Sequence, residues 1–318
     1  MAEVLSKGTL FPEELVSDLY NKVKGKSSIA ALHAQEPISF NGNEIMTFSM
    51  DAEVDLVAEN GKRSAGGVTV DPVKVAPLLI EYGARVSNEF MYASEEKKLE
   101  ILKAFNDGFA MKAARGLDIM AMHGVNPRTG EVSSLIGTNS FDTIGVTEID
   151  YNAAAPDGCI EDAVSALDTV DSDMSGMAIS KDMRSALAKQ TDNAGAKLYP
   201  QLAWGSNPGT INGCQVEVNS TVSFGTSKDK AILGDFQRAF KWGYAKQVTL
   251  EVIPYGDPDN SGKDLQGYGQ VYLRAQTYIG FGILDKDSLF HHQVCNVRKE
   301  PVKKISEILN TGANDRNT

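Results

Sequence analysis

Apolar and polar positions along this chain change period several times, and each change marks a predicted element. Residues 11–25 place Leu15, Val16, Leu19 and Val23 on one stripe, with Pro12 and two acids at the start and Gly25 at the stop, which predicts a short amphipathic helix. So short a helix is weak unless it docks on something. Residues 1–36 read together as an N-terminal arm. From Pro37 the period becomes two. β-forming residues flank Asn41-Gly42, the strongest short-range hairpin signal, and predict that two strands leave the body there. Residues 51–70 then turn at Gly61 or at Gly66-Gly67, and residues 73–86 resume a β pattern. This stretch has no core of its own. An isolated hairpin is marginal in water without a further strand, a helix or another chain, so the arm implies a neighbour that covers it.

The longest helical pattern opens at Ser94, a plausible N-cap followed by Glu95 and Glu96 in the positive first turn. Leu102, Phe105, Phe109, Ala113, Leu117 and Met120 recur at three- and four-residue spacing and predict a helix over residues 94–122, roughly 43 Å long. Gly108 and Gly116 are its weak points. Beyond Pro127 the pattern alternates: a helix over 157–170, a buried strand at 177–180, and a second helix capped by Ser180. Short strands follow at 215–218, 231–233, 239–244 and 248–253. Residues 271–281 alternate apolar and polar positions and predict one long strand. The alternation supports a mixed α+β or α/β domain, and for the chain as a whole the expected fold class is α+β.

Length and composition narrow the class. At 318 residues the chain can bury a large core, and 42% hydrophobic with 23% charged residues is the balance of an ordinary globular protein. Three cysteines, Cys159, Cys214 and Cys295, are odd in number and uneven in spacing, so no disulfide framework is expected. No apolar run approaches the ~18 residues of a membrane span, and the start lacks the apolar segment of a signal peptide, so no membrane association and a cytoplasmic site of assembly are expected. The formal net charge of −11 argues against a strong non-specific grip on nucleic acid.

Catalytic and cofactor signatures fail one by one. Gly25-Lys26-Ser27 resembles the end of a phosphate loop, but position 20, where the motif needs glycine, is Tyr20. Gly267-Tyr-Gly269 leads into a strand, not the helix of a dinucleotide site. His291-His292 with Cys295 lacks a fourth zinc ligand. Asp171-x-Asp173-x-Ser175-Gly176 resembles a calcium loop but carries Asp182 where a bidentate glutamate belongs. Asp257-x-Asp259-x-Ser261-Gly262 reaches Tyr268 at that position and reads as a polar surface loop. No catalytic residue, metal or cofactor is therefore expected.

The order of parts resembles the major capsid proteins of tailed bacteriophages, the Hong Kong ninety-seven fold. The residues that carry the resemblance are Leu56-Val-Ala-Glu-Asn60, Val86-Ser-Asn-Glu-Phe-Met91, Met177-Ala-Ile-Ser-Lys-Asp-Met183, Asp192-Asn-Ala-Gly195, Tyr199-Pro200, Ile211-Asn-Gly-Cys-Gln-Val216 and Ile232-Leu-Gly-Asp-Phe236. The resemblance implies an N-terminal arm (1–36), an extended loop (37–75), a peripheral domain with a spine helix (76–130 and 266–300), an axial domain (131–265) and a C-terminal tail (301–318). It implies no enzymatic activity but self-assembly through pentamers and hexamers into an icosahedral virion shell around double-stranded DNA. Scaffolding, portal and decoration proteins are the partners implied. Assembly contacts fall on Glu59, Asn60, Lys62 and Arg63 of the extended loop and on Leu15, Leu19 and Val23 of the arm. Some relatives cross-link a loop lysine to a neighbouring asparagine, and Lys62 is suitably placed, although a solvated lysine is its ordinary reading. An encapsulin-like compartment, an enzyme of unrecognised type, or a phosphate- or metal-binding module are the alternatives.

Overall fold

A computed structural model describes residues 27–92, 95–225, 227 and 229–293. The expected helix over 11–25 and the proposed cap Ser94 lie outside the described residues. The long helix runs from Glu95 to His123 without a break. Gly108 is tolerated on its exposed side and Gly116 on its buried side, and both cost the helix only propensity. Its expected apolar face is the buried one: Leu102 clusters with Val271 and Leu273, and Phe109, Ala110 and Ala113 with Ala275.

Eleven strands are described: β1 (Asn43–Met50), β2 (Val68–Val75), β3 (Leu78–Ser87), β4 (Thr147–Asp150), β5 (Gly176–Ile179), β6 (Thr210–Ile211), β7 (Cys214–Val218), β8 (Ala231–Gly234), β9 (Phe240–Ile253), β10 (Gln270–Ile283) and β11 (Leu289–Gln293). They form a two-stranded ribbon β1-β2, a three-stranded sheet β3-β10-β9 behind the long helix, and a six-stranded sheet β4-β11-β8-β5-β7-β6. The six-stranded sheet packs against helices Pro156–Thr169 and Lys181–Leu187 through Ala163, Leu167, Met183 and Leu187. Ser180 caps the second of these as expected, accepting from the Met183 amide at 3.2 Å.

Four expectations change. The pairs expected at 239–244 and 248–253 are one strand, β9, because a register irregularity opposite Gln276 to Ile279 absorbs the break in pattern. β9 pairs with β10 in the three-stranded sheet, whereas β11 joins β4 and β8 in the six-stranded one, so the boundary at 265/266 does not divide the sheets. Asn41-Gly42 is not the tip of a hairpin. Gly42, at φ 86°, turns the chain into β1, whose partner is β2 across residues 51–67.

Nor does residue 36 end a free arm. Ile29, Ala30 and Leu32 lie in the largest buried cluster together with Leu117, Phe236, Phe240 and Trp242. The Glu36 amide donates to the Trp242 carbonyl at 2.9 Å, and the Trp242 indole donates to the His33 carbonyl at 2.9 Å. Gly243 makes this approach possible, since a Cβ there would lie 1.7 Å from the Glu36 carbonyl oxygen.

Candidate functional site: a projecting ribbon with one apolar face

Among the described residues the ribbon is fastened only at its root. Val75 is 1% exposed and sits against Gly280 and Gly282 of β10, where a Cβ on Gly282 would lie 2.7 Å from its side chain. Ile38 fills the same notch, Phe40 packs edge-on against Tyr278 at 4.9 Å between ring centroids, and Asn139 donates to the Lys74 carbonyl at 3.2 Å. Beyond this point the β1 and β2 residues are mostly exposed.

The register makes the two faces unlike. Met46 stands opposite Pro72, Phe48 opposite Val70 and Met50 opposite Val68. Side chains alternate across a strand and directly paired residues share a face, so these six make a continuous apolar face. Phe48 is 61% exposed, Met50 69% and Val70 51%. The other face pairs Ile45 with Val73, Thr47 with Asp71 and Ser49 with Thr69, and turns polar toward the tip. Thr47 donates to the Asp71 carbonyl at 2.9 Å.

Residues 51–67 extend the ribbon as a loop without strands. Asp51 closes its base: its amide donates to the Gly67 carbonyl at 3.2 Å, and its carboxylate accepts from the Gly67 amide at 2.6 Å. Val54 and Leu56 are 97% and 98% exposed. At the tip the Gly61 amide donates to Ala58, and Asn60 takes a left-handed conformation with φ 64°, which asparagine tolerates better than most residues. Glu59, Asn60, Lys62 and Arg63 are all exposed here. Leu15, Leu19 and Val23 lie outside the described residues.

Two inner anchors hold the frame behind the ribbon. Asp118, on the long helix and fully buried, accepts from the Ser27 hydroxyl, the Ser28 amide at 3.0 Å, the Ile29 amide at 3.3 Å, Asn219 at 3.0 Å and the Thr221 hydroxyl at 2.9 Å. Burial pushes its carboxyl up from the ordinary carboxylate value, and the donors pull it back down. Arg85 of β3 is the second anchor. Its guanidinium donates to Asp257 at 2.6 Å, Asp259 at 2.9 Å, Ser261 at 2.6 Å and the Lys263 carbonyl at 2.9 Å. The expected surface loop therefore has a cation, supplied by the protein. Hydrogen bonding to Arg85 holds the Asp259 carboxyl well below its ordinary value. The loop at Asp171 is a turn leading straight into β5, with Asp171 at φ 53° and Asp182 turned to solvent beside Lys230. His291 and His292 fall in β11, while Cys295 lies outside the described residues.

The two-sided ribbon was available in the sequence as Met46, Phe48, Met50, Val68 and Val70 at alternate positions; only the register shows that both sets share a face. Asp118 carried a weaker signal, an acid within the apolar run Leu117-Asp-Ile-Met120.

Comparison with known proteins agrees with this architecture. The family model described as the phage capsid family matches residues 7–293. A solved chain of Mycobacterium phage Ogopogo is 28% identical with a TM-score of 0.73, covering 85% of this chain and 92% of that one. A chain of Gordonia phage Cozz is 22% identical with a TM-score of 0.70, covering 85% of this chain and 87% of that one. The capsid of a native GTA particle shares the fold at 13% identity and a TM-score of 0.60, covering 84% of this chain and 90% of that one. No curated protein sequence matches at comparable stringency. The chain belongs to the phage capsid family and is a structural capsid protein of the virion.

Proposed function

We propose that this protein is the major head subunit of a tailed phage, and that its ribbon binds the adjacent subunit while the shell closes. The observation that carries this reading is the exposed apolar face of β1 and β2. A continuous face of this kind on a soluble subunit marks a surface that another protein covers, and a family whose members build shells supplies a second copy as the occupant.

On this reading residues 37–75 are the extended loop. The long helix with β3, β9 and β10 is the peripheral region, and the six-stranded sheet is the axial one. Glu59, Asn60, Lys62 and Arg63 would lie on the neighbour as polar contacts around the apolar face. Leu15, Leu19 and Val23 of the N-terminal arm would add further assembly contacts between subunits. Subunits would gather as pentamers and hexamers in the host cytoplasm, with scaffolding, portal and decoration proteins as partners, and enclose double-stranded DNA without reading its sequence. Among the described residues no helix is long and apolar enough to cross a membrane.

The test replaces residues 52–67 with a short Gly/Ser linker. Circular dichroism and melting should report a folded subunit, and electron microscopy should find no closed shells. Normal shells from the deleted chain would refute the assembly role; an unfolded subunit would show that the loop belongs to the core.

A further inference from the structure

We propose that Trp204 anchors a head-to-tail contact between copies of this chain, seated against the acidic flank of the next copy in a ring. The inference rests on the head-subunit reading and names a second contact, separate from the ribbon.

Trp204 is 103% exposed, more than any other large apolar side chain among the described residues. Its backbone is held for that pose. It takes φ 59° and ψ 21°, a left-handed conformation that is rare and unfavourable for a residue with a Cβ, and Gly205 follows at φ 81°. The base of the turn is rigid. Leu202 is 1% exposed within the cluster under the six-stranded sheet, the Ser206 amide donates to the Ala203 carbonyl at 3.2 Å, and the Arg184 guanidinium donates to the Gly205 carbonyl at 2.8 Å. Strain of this kind persists where the surroundings impose it, and a large ring lifted wholly into water marks a surface that another protein covers. Tryptophan is also the residue type most enriched among the anchors of protein interfaces.

Charge identifies the covering surface. Residues 147–173 contain eight acids and no lysine or arginine. Glu148 and Asp150 are exposed on β4, one edge of the six-stranded sheet, and Glu161, Asp162 and Asp168 are exposed on the helix Pro156–Thr169 that packs over β4, β11 and β8. The Trp204 side has the opposite balance. Residues 181–205 contain four bases, Lys181, Arg184, Lys189 and Lys197, and two acids. Both acids are engaged: Asp182 pairs with Lys230 at 3.0 Å, and Asp192 accepts from the Ala194 and Ala196 amides at 2.9 and 2.8 Å. From Trp204 the chain runs into β6, the other edge of the sheet.

Two unlike, complementary patches on one subunit pair heterologously, and such a contact, repeated, closes into a ring. An isologous contact would set the acidic flank against itself, which like-charge repulsion disfavours. A second copy of this chain therefore carries what the Trp204 side lacks. Val170, 44% exposed at the end of the acidic helix, offers the indole an apolar landing point, and the indole N–H, a donor only, meets carboxylates around it.

The experiment uses the full-length chain over a range of concentrations, with sedimentation velocity for ring formation and tryptophan fluorescence in parallel. The chain has two tryptophans, and Trp242 is already 1% exposed, so a change in emission reports Trp204. The emission of the parent should shift to the blue as rings form. Trp204→Ser should melt as the parent does but need about tenfold or more protein to form rings. Lys189→Glu with Lys197→Glu should weaken rings as well, and adding Glu161→Lys with Asp162→Lys to the same chain should restore them. Rings of unaltered threshold in Trp204→Ser, or blue emission already present in dilute monomer because the chain covers its own ring, would overturn the inference and leave the head-subunit reading standing. Failure of the fourfold reversal to restore rings would overturn the assignment to the acidic flank. A parent that stays monomeric at every concentration would overturn both readings.

Discussion

Replacing Met46, Phe48 and Met50 together by serine removes the β1 half of the apolar face and leaves the backbone pairing of the ribbon in place. These side chains are 61%, 61% and 69% exposed in the isolated subunit. Complete burial of a residue of this kind contributes about 1.5–3 kcal/mol, so covering the exposed two-thirds contributes about 1–2 kcal/mol each, or about 3–6 kcal/mol for the three. At 1.4 kcal/mol per tenfold, each ribbon contact should weaken roughly 10²- to 10⁴-fold. The fold should hardly notice, since exposed substitutions away from caps and cores stay within about 0.5 kcal/mol. Thermal melting of the unassembled subunit and the protein concentration at which shells appear in light scattering measure the two quantities separately. Thr69→Ala, on the opposite face, is the control. Unchanged melting with a much higher assembly threshold is expected. An unchanged threshold in the triple variant would refute the claim that this face is buried between subunits.

Asp118→Ala should strand the Ser28 and Ile29 amides in a buried place; at about 1–3 kcal/mol per unsatisfied group the subunit should lose about 2–6 kcal/mol in urea unfolding, and a loss below about 1 kcal/mol would contradict its anchoring role. Gly243→Ala would put a methyl carbon 1.7 Å from the rigid Glu36 carbonyl, whereas the same change at Gly280 meets the mobile end of Ile38 at 3.0 Å; melting should therefore fall much further for the first than for the second. Because Arg85 depresses the Asp259 carboxyl, its contribution is present above the ordinary carboxylate range and is lost only as pH falls through the lowered value. Limited proteolysis of the loop around residues 256–262 should accordingly rise in strong acid for the parent and already at neutral pH for Arg85→Ala, and equal protection of the two at neutral pH would count against the clamp.

The sequence disclosed the elements whose periodicity is long. The helix Glu95–His123 and strand β10 stand within one or two residues of their expected positions, because each repeats one apolar period for at least ten residues against a single partner layer. What was not legible depends on contacts between distant segments. Residues 28–36 read as part of the arm because nothing local marks Ile29 and Leu32 as core; their burial depends on Leu117 and Trp242. Asn41-Gly42 has the chemistry of a hairpin tip, yet β1 finds its partner far downstream, Asn43 opposite Val75 and Glu44 opposite Lys74, since the notch at Gly280 and Gly282 captures Val75. β11 carries no local signature, because five residues ending in polar side chains form a strand only when β4 and β8 flank them. At the candidate site, the tip residues were readable as an exposed turn, whereas the apolar face exists only once register aligns Phe48 with Val70.

The most direct test is a density map of assembled shells at a resolution that shows side chains. The account expects Met46, Phe48, Met50 and Val70 to be enclosed by residues of an adjacent subunit, with Glu59, Asn60, Lys62 and Arg63 at the edge of that contact. A shell in which the same face lies open to solvent, or folded back on its own subunit, would contradict it.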